Sequence, residues 1–330
     1  MKVDGGLGPD LPHDLGTFAA SAAEQEQAGY NGIWTAETNH DPFFPLLLAA
    51  QTTTDVDLGT SIAVAFARSP MTLAATANDL QAYTGGRFIL GLGSQIKPHI
   101  TRRFAMPWSH PAPRMREFVL AMRAIWTAWE EGTKLDFRGD FYEHTLMTPF
   151  FDPGPNPYGA PKVFLAAVGE LMTAVVGEVA DGMLCHGFTT ESYLREVTVP
   201  AVTRGLDARG RTRADIELSL PAFIVSGTTE EEMATAAVGV RQQIAFYGST
   251  PAYRGVLDLH GWGDLQPELN RMSKQGLWRE MGDLIDDEML DTFAIVAEPA
   301  DIAPKYIERF GGVVDRLAFY APYQNDPETW

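Results

Sequence analysis

Residues 71–93 read MTLAATANDLQAYTGGRFILGLG: a helical stretch, a Gly85-Gly86 stop and a short strand apolar on both faces. Just ahead, Ser69 reads as an N-cap and Pro70 as a first helical residue. The same unit recurs outward in both directions. Strands are expected at 2–7, 32–36, 58–65, 88–93, 163–168, 182–187, 216–226 and 313–320, and helices at 14–28, 42–53, 71–84, 114–131, 171–180, 192–208, 230–247 and 301–310. Gly29, Gly132 and Gly311-Gly312 end three of those helices. Eight strand–helix units predict a (β/α)8 TIM barrel, with residues 1–330 as one domain. An open doubly wound sheet is the alternative, but Gly5-Gly6-Leu7-Gly8 and Gly91-Leu92-Gly93 are only fragments of a G-x-G-x-x-G fingerprint. Two excursions break the alternation, at about 133–161 and 248–291, and long excursions commonly serve as lids or oligomer contacts.

Composition narrows the function. Apolar residues make up 45% of the 330 residues and charged residues 21%, as in a globular protein. The 43 acidic against 25 basic residues give a net charge of -18, a surface that repels phosphate backbones and anionic lipid, so neither a nucleic-acid nor a membrane partner is expected. The apolar run at 43–50 is too short to span a bilayer, and the opening MKVDGGLGPD lacks the apolar core of a secretory signal. Cys185 is the lone cysteine, which fits a reducing, cytoplasmic setting. The scattered histidines and few carboxylate–histidine neighbours argue against a metal.

In a barrel, ligands meet the residues just past the C-terminal ends of the strands. After the second strand stand Glu37-Thr38-Asn39-His40-Asp41, then Pro42. Two readings are open: helix capping by Asn39 or Asp41, or Glu37 and His40 acting at the barrel mouth as acid–base groups. Between Gln81 and Arg116 there is no carboxylate, but there are Arg87, Lys97, Arg102, Arg103, Arg114 and Arg116. That run either draws an anionic ligand or pairs with acids elsewhere. After the fifth strand, Val168-Gly169 leads into a helix whose free N–H groups suit a phosphate, with Glu170 opposing an anion unless it turns outward. Cys185 reads as a buried structural thiol and His186 as its neighbour on the opposite face.

Four stretches together resemble the bacterial-luciferase-like oxidoreductases, nearer the branch using the deazaflavin coenzyme F420 than the FMN branch. They are GYNGIW at 29–34 leading into Glu37, TGGRFILGLG at 84–93, RGDFY at 138–142 and VADG at 179–182. The likeness runs from Lys2 to Tyr320. It implies a homodimer formed through the second and third helices, and an excursion after strand four packed over the mouth. It also implies a non-prolyl cis peptide near Val64–Phe66, with Val64, Ala65 and Phe66 against the cofactor ring. Ser94, Gln95, Val168 and Gly169 would hold the phosphate and tail side, with Thr38, Asn39, Gly93 and His186 completing the cofactor contacts. Several deazaflavin-dependent members carry an acid followed directly by histidine after strand two. Here Thr38 follows Glu37 and the histidine is His40, so an alcohol-oxidising base is not carried over cleanly. The reaction implied is hydride transfer to or from a small carbonyl, alcohol, imine or activated alkene, with Glu37 or His40 moving the proton. Phe141, Tyr142, Phe150 and Phe151 would either wall the pocket or form a satellite apolar cluster. The alternatives are an FMN-dependent monooxygenase and a non-catalytic flavin- or deazaflavin-binding barrel.

Overall fold

The computed structural model describes residues 1–7 and 15–323, so Gly8 and the expected helix start at Asp14 lie outside the described residues. In chain order the strands are β1 (Lys2–Leu7), β2 (Gly32–Thr35), β3 (Asp57–Thr60), β4 (Ala63–Val64), β5 (Phe88–Gly93), β6 (Phe137–Arg138), β7 (Glu143–His144), β8 (Lys162–Ala166), β9 (Gly182–Leu184), β10 (Glu217–Val225), β11 (Ala294–Val296) and β12 (Arg316–Tyr320). Parallel pairing runs β1–β2–β3–β5–β8–β9–β10–β12 and returns to β1, closing an eight-stave TIM barrel. β4 carries the third stave on against β5, and β11 extends the wall beside β10. Helices α1 (Leu15–Gln27), α2 (Phe43–Ala49), α3 (Pro70–Tyr83), α4 (Pro111–Glu131) and α5 (Glu170–Val179) flank the first five staves. Ser69 caps α3 by accepting from Thr72 N at 3.1 Å.

The interior alternates bulk with its absence. Trp34, Ile89, Phe164 and Leu184 form one buried cluster, with the Trp34 and Phe164 rings 5.9 Å apart. The neighbouring stave carries a glycine beside each ring: a Cβ on Gly59 would fall 2.4 Å from Trp34, and one on Gly182 2.4 Å from Phe164. At the N-terminal end, Arg316 is fully buried and grips Asp4 with two hydrogen bonds of 2.7 and 2.8 Å. Asp57 and Glu217 take its remaining nitrogen, and Lys2 and Lys162 pair with them from the rim. Desolvating such charges is costly, so the network holds only because nearly every lone pair and proton finds a partner.

The expected third strand over 58–65 is broken. β3 ends at Thr60, the cis peptide lies at Ser61–Ile62 rather than near Val64–Phe66, and Ala65–Ala67 forms a 3-10 turn. The chain crosses over here: Ser61 N still donates to Thr35 O at 2.6 Å, while Ala63 and Val64 pair with β5. Thr60 Oγ1 bridges the gap by donating to Gly91 O at 2.7 Å and accepting from Gly91 N at 3.0 Å.

The first excursion lies along α3 and α4. Glu117 accepts backbone N–H groups of Asp140, Phe141 and Tyr142, and Asn156 bonds Asn78. With the segment pinned this way, Phe150 is 89% exposed and Phe151 69%, so neither walls a pocket. The second excursion does reach the mouth, through Tyr253, His260 and Trp262. No helix among the described residues is long and apolar enough to cross a membrane.

Candidate active site

Parallel staves bring their C-terminal ends to one rim. Past β2, the Glu37 side chain is 7% exposed and its Oε2 accepts from Val64 N at 2.7 Å and Arg68 Nη1 at 2.5 Å. Arg68 also reaches Asp41 at 3.1 Å, and Asp41 accepts from Phe43 N at 2.9 Å. The polar cluster therefore divides: Asp41 bonds the first N–H of α2 from just ahead of its N-cap Pro42, and Glu37 fastens the β2 end to the β3–β4 crossing. Thr38 donates to Asn39 Oδ1 at 2.8 Å, and its carbonyl accepts from Arg103, which ties in the loop after β5. Asn39 is exposed and His40 half-buried beside them.

Val64, Ala65 and Phe66 are fully buried, so their side chains offer no surface to a ligand. Phe66 is held between Trp108, at 5.8 Å, and the Arg114 guanidinium, at 4.5 Å. The surface at the crossing is made by Ile62, packed so near Gly93 that a Cβ there would stand 2.9 Å from it. Ser94 donates to Gln95 O at 3.1 Å, with Gln95 in the left-handed region at φ 58°. Val168 and Gly169 are exposed at the start of α5, and Glu170 turns out to Arg204 at 2.6 Å, leaving the helix end open to an anion.

The basic run separates into two kinds. Arg87 binds backbone carbonyls of Thr53, Val56 and Thr84; Arg114 bonds Tyr142 and Pro107; Arg116 pairs with Glu178. Lys97 and Arg102 are exposed beside the β5 loop, next to Arg103.

Val168, Gly169 and His186 line one recess open to solvent, in which Glu170 is the sole charged lining residue. His186 Nδ1 accepts from Phe188 N at 3.0 Å, and the ring stacks on Tyr253 at 4.6 Å and meets Tyr247 edge-on at 4.5 Å. Burial pushes its pKa down to about 4, so near neutral pH the ring is uncharged and its proton sits on Nε2. Burial pushes the Cys185 thiol up to about 12, which makes it inert.

Sequence reasoning missed a further group: Tyr247 and Tyr320 share a 2.9 Å hydroxyl–hydroxyl hydrogen bond, and Thr190 bonds His260 at 2.8 Å. Tyr320 ends β12, so carrying the strand-end rule through to the last stave would have found it. Tyr247 and Tyr253 arrive from helix 230–248 and the excursion, with no local signal. Past the C-terminal ends of β9 and β10, two buried hydroxyls lack a protein partner, Thr189 Oγ1 and Ser226 Oγ; Trp34 Nε1 lacks one too, in the barrel interior where Arg316 lies over its ring. Such atoms are rare in native proteins and mark places where a ligand or water completes the bonding. Among the described residues no cluster of His, Cys, Asp and Glu is able to hold a metal.

A family model described as luciferase-like monooxygenase matches residues 2–316. The chain belongs to the luciferase-like monooxygenase family. A Mycobacterium tuberculosis protein described as uncharacterized is 56% identical, covering 96% of this chain and 92% of that one. The 5,10-methylenetetrahydromethanopterin reductase of Archaeoglobus fulgidus is 25% identical with the same coverage. Among solved structures, the coenzyme F420-dependent tetrahydromethanopterin reductase of Methanopyrus kandleri superposes with a TM-score of 0.77 at 20% identity, over 96% of this chain and 92% of that one. For a luciferase-like monooxygenase family member, the rim built by Glu37, Ile62, Ser94, Gly169 and His186 is the place to look for chemistry.

Proposed function

We propose that the chain is a coenzyme F420-dependent oxidoreductase acting on a small organic substrate. The main support is the rim itself: Ile62 packed on Gly93 at the crossing, an open helix start at Gly169, and buried hydroxyls without partners at Thr189 and Ser226. In this reading the backbone at the β3–β4 crossing bears on the ring. Ser94, Gln95, Val168 and Gly169 hold the phosphate, and Lys97 and Arg102 face the rest of the anionic tail. The relative from Archaeoglobus and the solved structure from Methanopyrus are consistent with it. When bound, the deazaflavin supplies a carbon that gives or takes hydride. The protein supplies placement, proton handling and exclusion of water.

Titration with coenzyme F420 and with FMN, read by fluorescence quenching, tests this. F420 is expected to bind at least about tenfold tighter, and Lys97→Gln with Arg102→Gln to weaken F420 while leaving FMN unchanged. Tight FMN binding with oxygen-dependent turnover would favour the monooxygenase alternative; binding without any turnover would favour a non-catalytic barrel.

Glu37 and His40 remain the acid–base candidates from the β2 loop, but the Glu37–Val64 bond gives Glu37 a second task. A purely acid–base Glu37 predicts that Glu37→Ala spares coenzyme affinity. The brace predicts that affinity falls too, by about tenfold, because the crossing loses its tie to β2. We propose dimerisation through α2 and α3, where Phe44 is 65% and Tyr83 50% exposed. Phe44→Asp is expected to give a monomer by light scattering.

A further inference from the structure

The recess beside His186 carries one charged side chain, Glu170, and that carboxylate is paired with Arg204. We propose that His186, Tyr247 and Tyr320 form a neutral hydrogen-bonding wall that receives the oxygen of an uncharged ketone or alcohol. His186 acts there as a fixed donor through Nε2–H, and the two tyrosines form the proton path. This rests on the hydride-transfer reading above.

Three observations lead there. First, Phe188 N–H occupies His186 Nδ1, so the neutral ring offers a donor and no acceptor. Second, the groups facing that ring are aromatic: Tyr247 from helix 230–248, Tyr253 from the excursion and Phe188 from its own loop, and burial alone moves its titration. Third, the Tyr247–Tyr320 pair joins the last stave to the same wall, and burial first, then each ring's neighbour, keeps Tyr320 protonated. Of the three wall residues, His186 also lines the recess at Gly169, whose one carboxylate, Glu170, is spent on Arg204. Away from the helix start at Gly169, a charged substrate group would meet only uncharged rings at this wall, whereas a carbonyl oxygen would find up to two donors. A wall built from polar donors rejects a ligand that leaves them unpaired.

The chemistry balances. In reduction, the carbonyl carbon gains hydride from the reduced deazaflavin, its π electrons move to oxygen, and that oxygen takes a proton from the tyrosine pair. Solvent then restores the pair through the partner hydroxyl. Alcohol oxidation runs the same steps backwards, with the oxidised coenzyme receiving the hydride.

The first test is imidazole nitrogen NMR on the wild-type chain without coenzyme. His186 is expected to show the Nε2–H tautomer and no titration from pH 8 down to about 5. Cyclohexanone is expected to shift that N–H signal, whereas pyruvate and glucose 6-phosphate leave it in place. His186→Phe and Tyr320→Phe should each weaken cyclohexanone about tenfold, with His186→Gln, which keeps a donor, retaining most of the affinity. Titration near the ordinary histidine value, an Nδ1–H tautomer, a shift caused by the charged compounds instead, or no shift from cyclohexanone would each overturn the proposal. If cyclohexanone shifts the signal but neither F420 nor FMN binds, the wall stands and the hydride-transfer reading falls.

Discussion

Arg316→Met is expected to destabilise the protein by about 3–5 kcal/mol, read as a lower midpoint in urea unfolding. Asp4 is 1% exposed, and the substitution removes both hydrogen bonds that Arg316 gives it, leaving a carboxylate in a site from which water is excluded. The double variant Asp4→Leu, Arg316→Met should recover much of the loss, because replacing both partners removes the stranded charge. Recovery will be incomplete, since Asp57 and Glu217 also lose a partner and keep only Lys2 and Lys162. The same network sets an acid limit. Burial raises the Asp57 pKa, but hydrogen bonds from Arg316 and Lys2 outweigh it and hold the carboxyl below its usual range; Glu217 is held low in the same way by Lys162 against its own burial. Groups depressed in the folded state contribute their full stability above about pH 4.5, and lose it as pH falls through the folded values. Unfolding midpoints should therefore be flat near neutrality and fall steeply below about pH 4.

Gly91→Ala is expected to prevent accumulation of folded protein, a loss of more than about 4 kcal/mol. A Cβ at this position would lie 1.7 Å from the Thr60 carbonyl oxygen, which is backbone and cannot swing away, and 2.9 Å from Leu184 Cδ1. Relief requires β3 and β5 to separate where Thr60 Oγ1 bridges them, next to the crossing that seats the proposed coenzyme. Gly132→Ala is the control. It sits at φ 62° with nothing within 4 Å of the added carbon, so only the left-handed backbone resists, at about 1–2 kcal/mol. Equal losses at the two sites would refute the packing argument.

The barrel was legible because its information is local: each apolar run followed by a capped helix announces itself within about thirty residues. The break at Ser61–Ile62 was not, since both residues pass for strand and the departure is fixed by partners on β2 and β5. Glu37 stands out in the sequence within a run of five polar residues, but its attachment to Arg68 spans 31 positions and leaves no spacing signature. Of the six basic residues in the run from Arg87 to Arg116, four bind backbone or side chains elsewhere in the fold, which charge counting alone does not separate from Lys97 and Arg102. Phe150 and Phe151 show the same weakness in reverse: aromatic content leaves a pocket wall and a satellite apolar cluster equally open, and the anchoring of their segment on α3 and α4 leaves both rings largely in solvent.

The grip of Arg316 on Asp4 joins positions 312 apart, so it forms only when the last stave emerges during synthesis. Until then the nascent chain presents two unpaired sheet edges and an unneutralised acid in its first stave. Such an intermediate invites edge-to-edge association. A ribosome stalled short of that arginine should hold a chaperone-dependent, protease-sensitive chain, and release of a few dozen more residues should convert it abruptly to a resistant one.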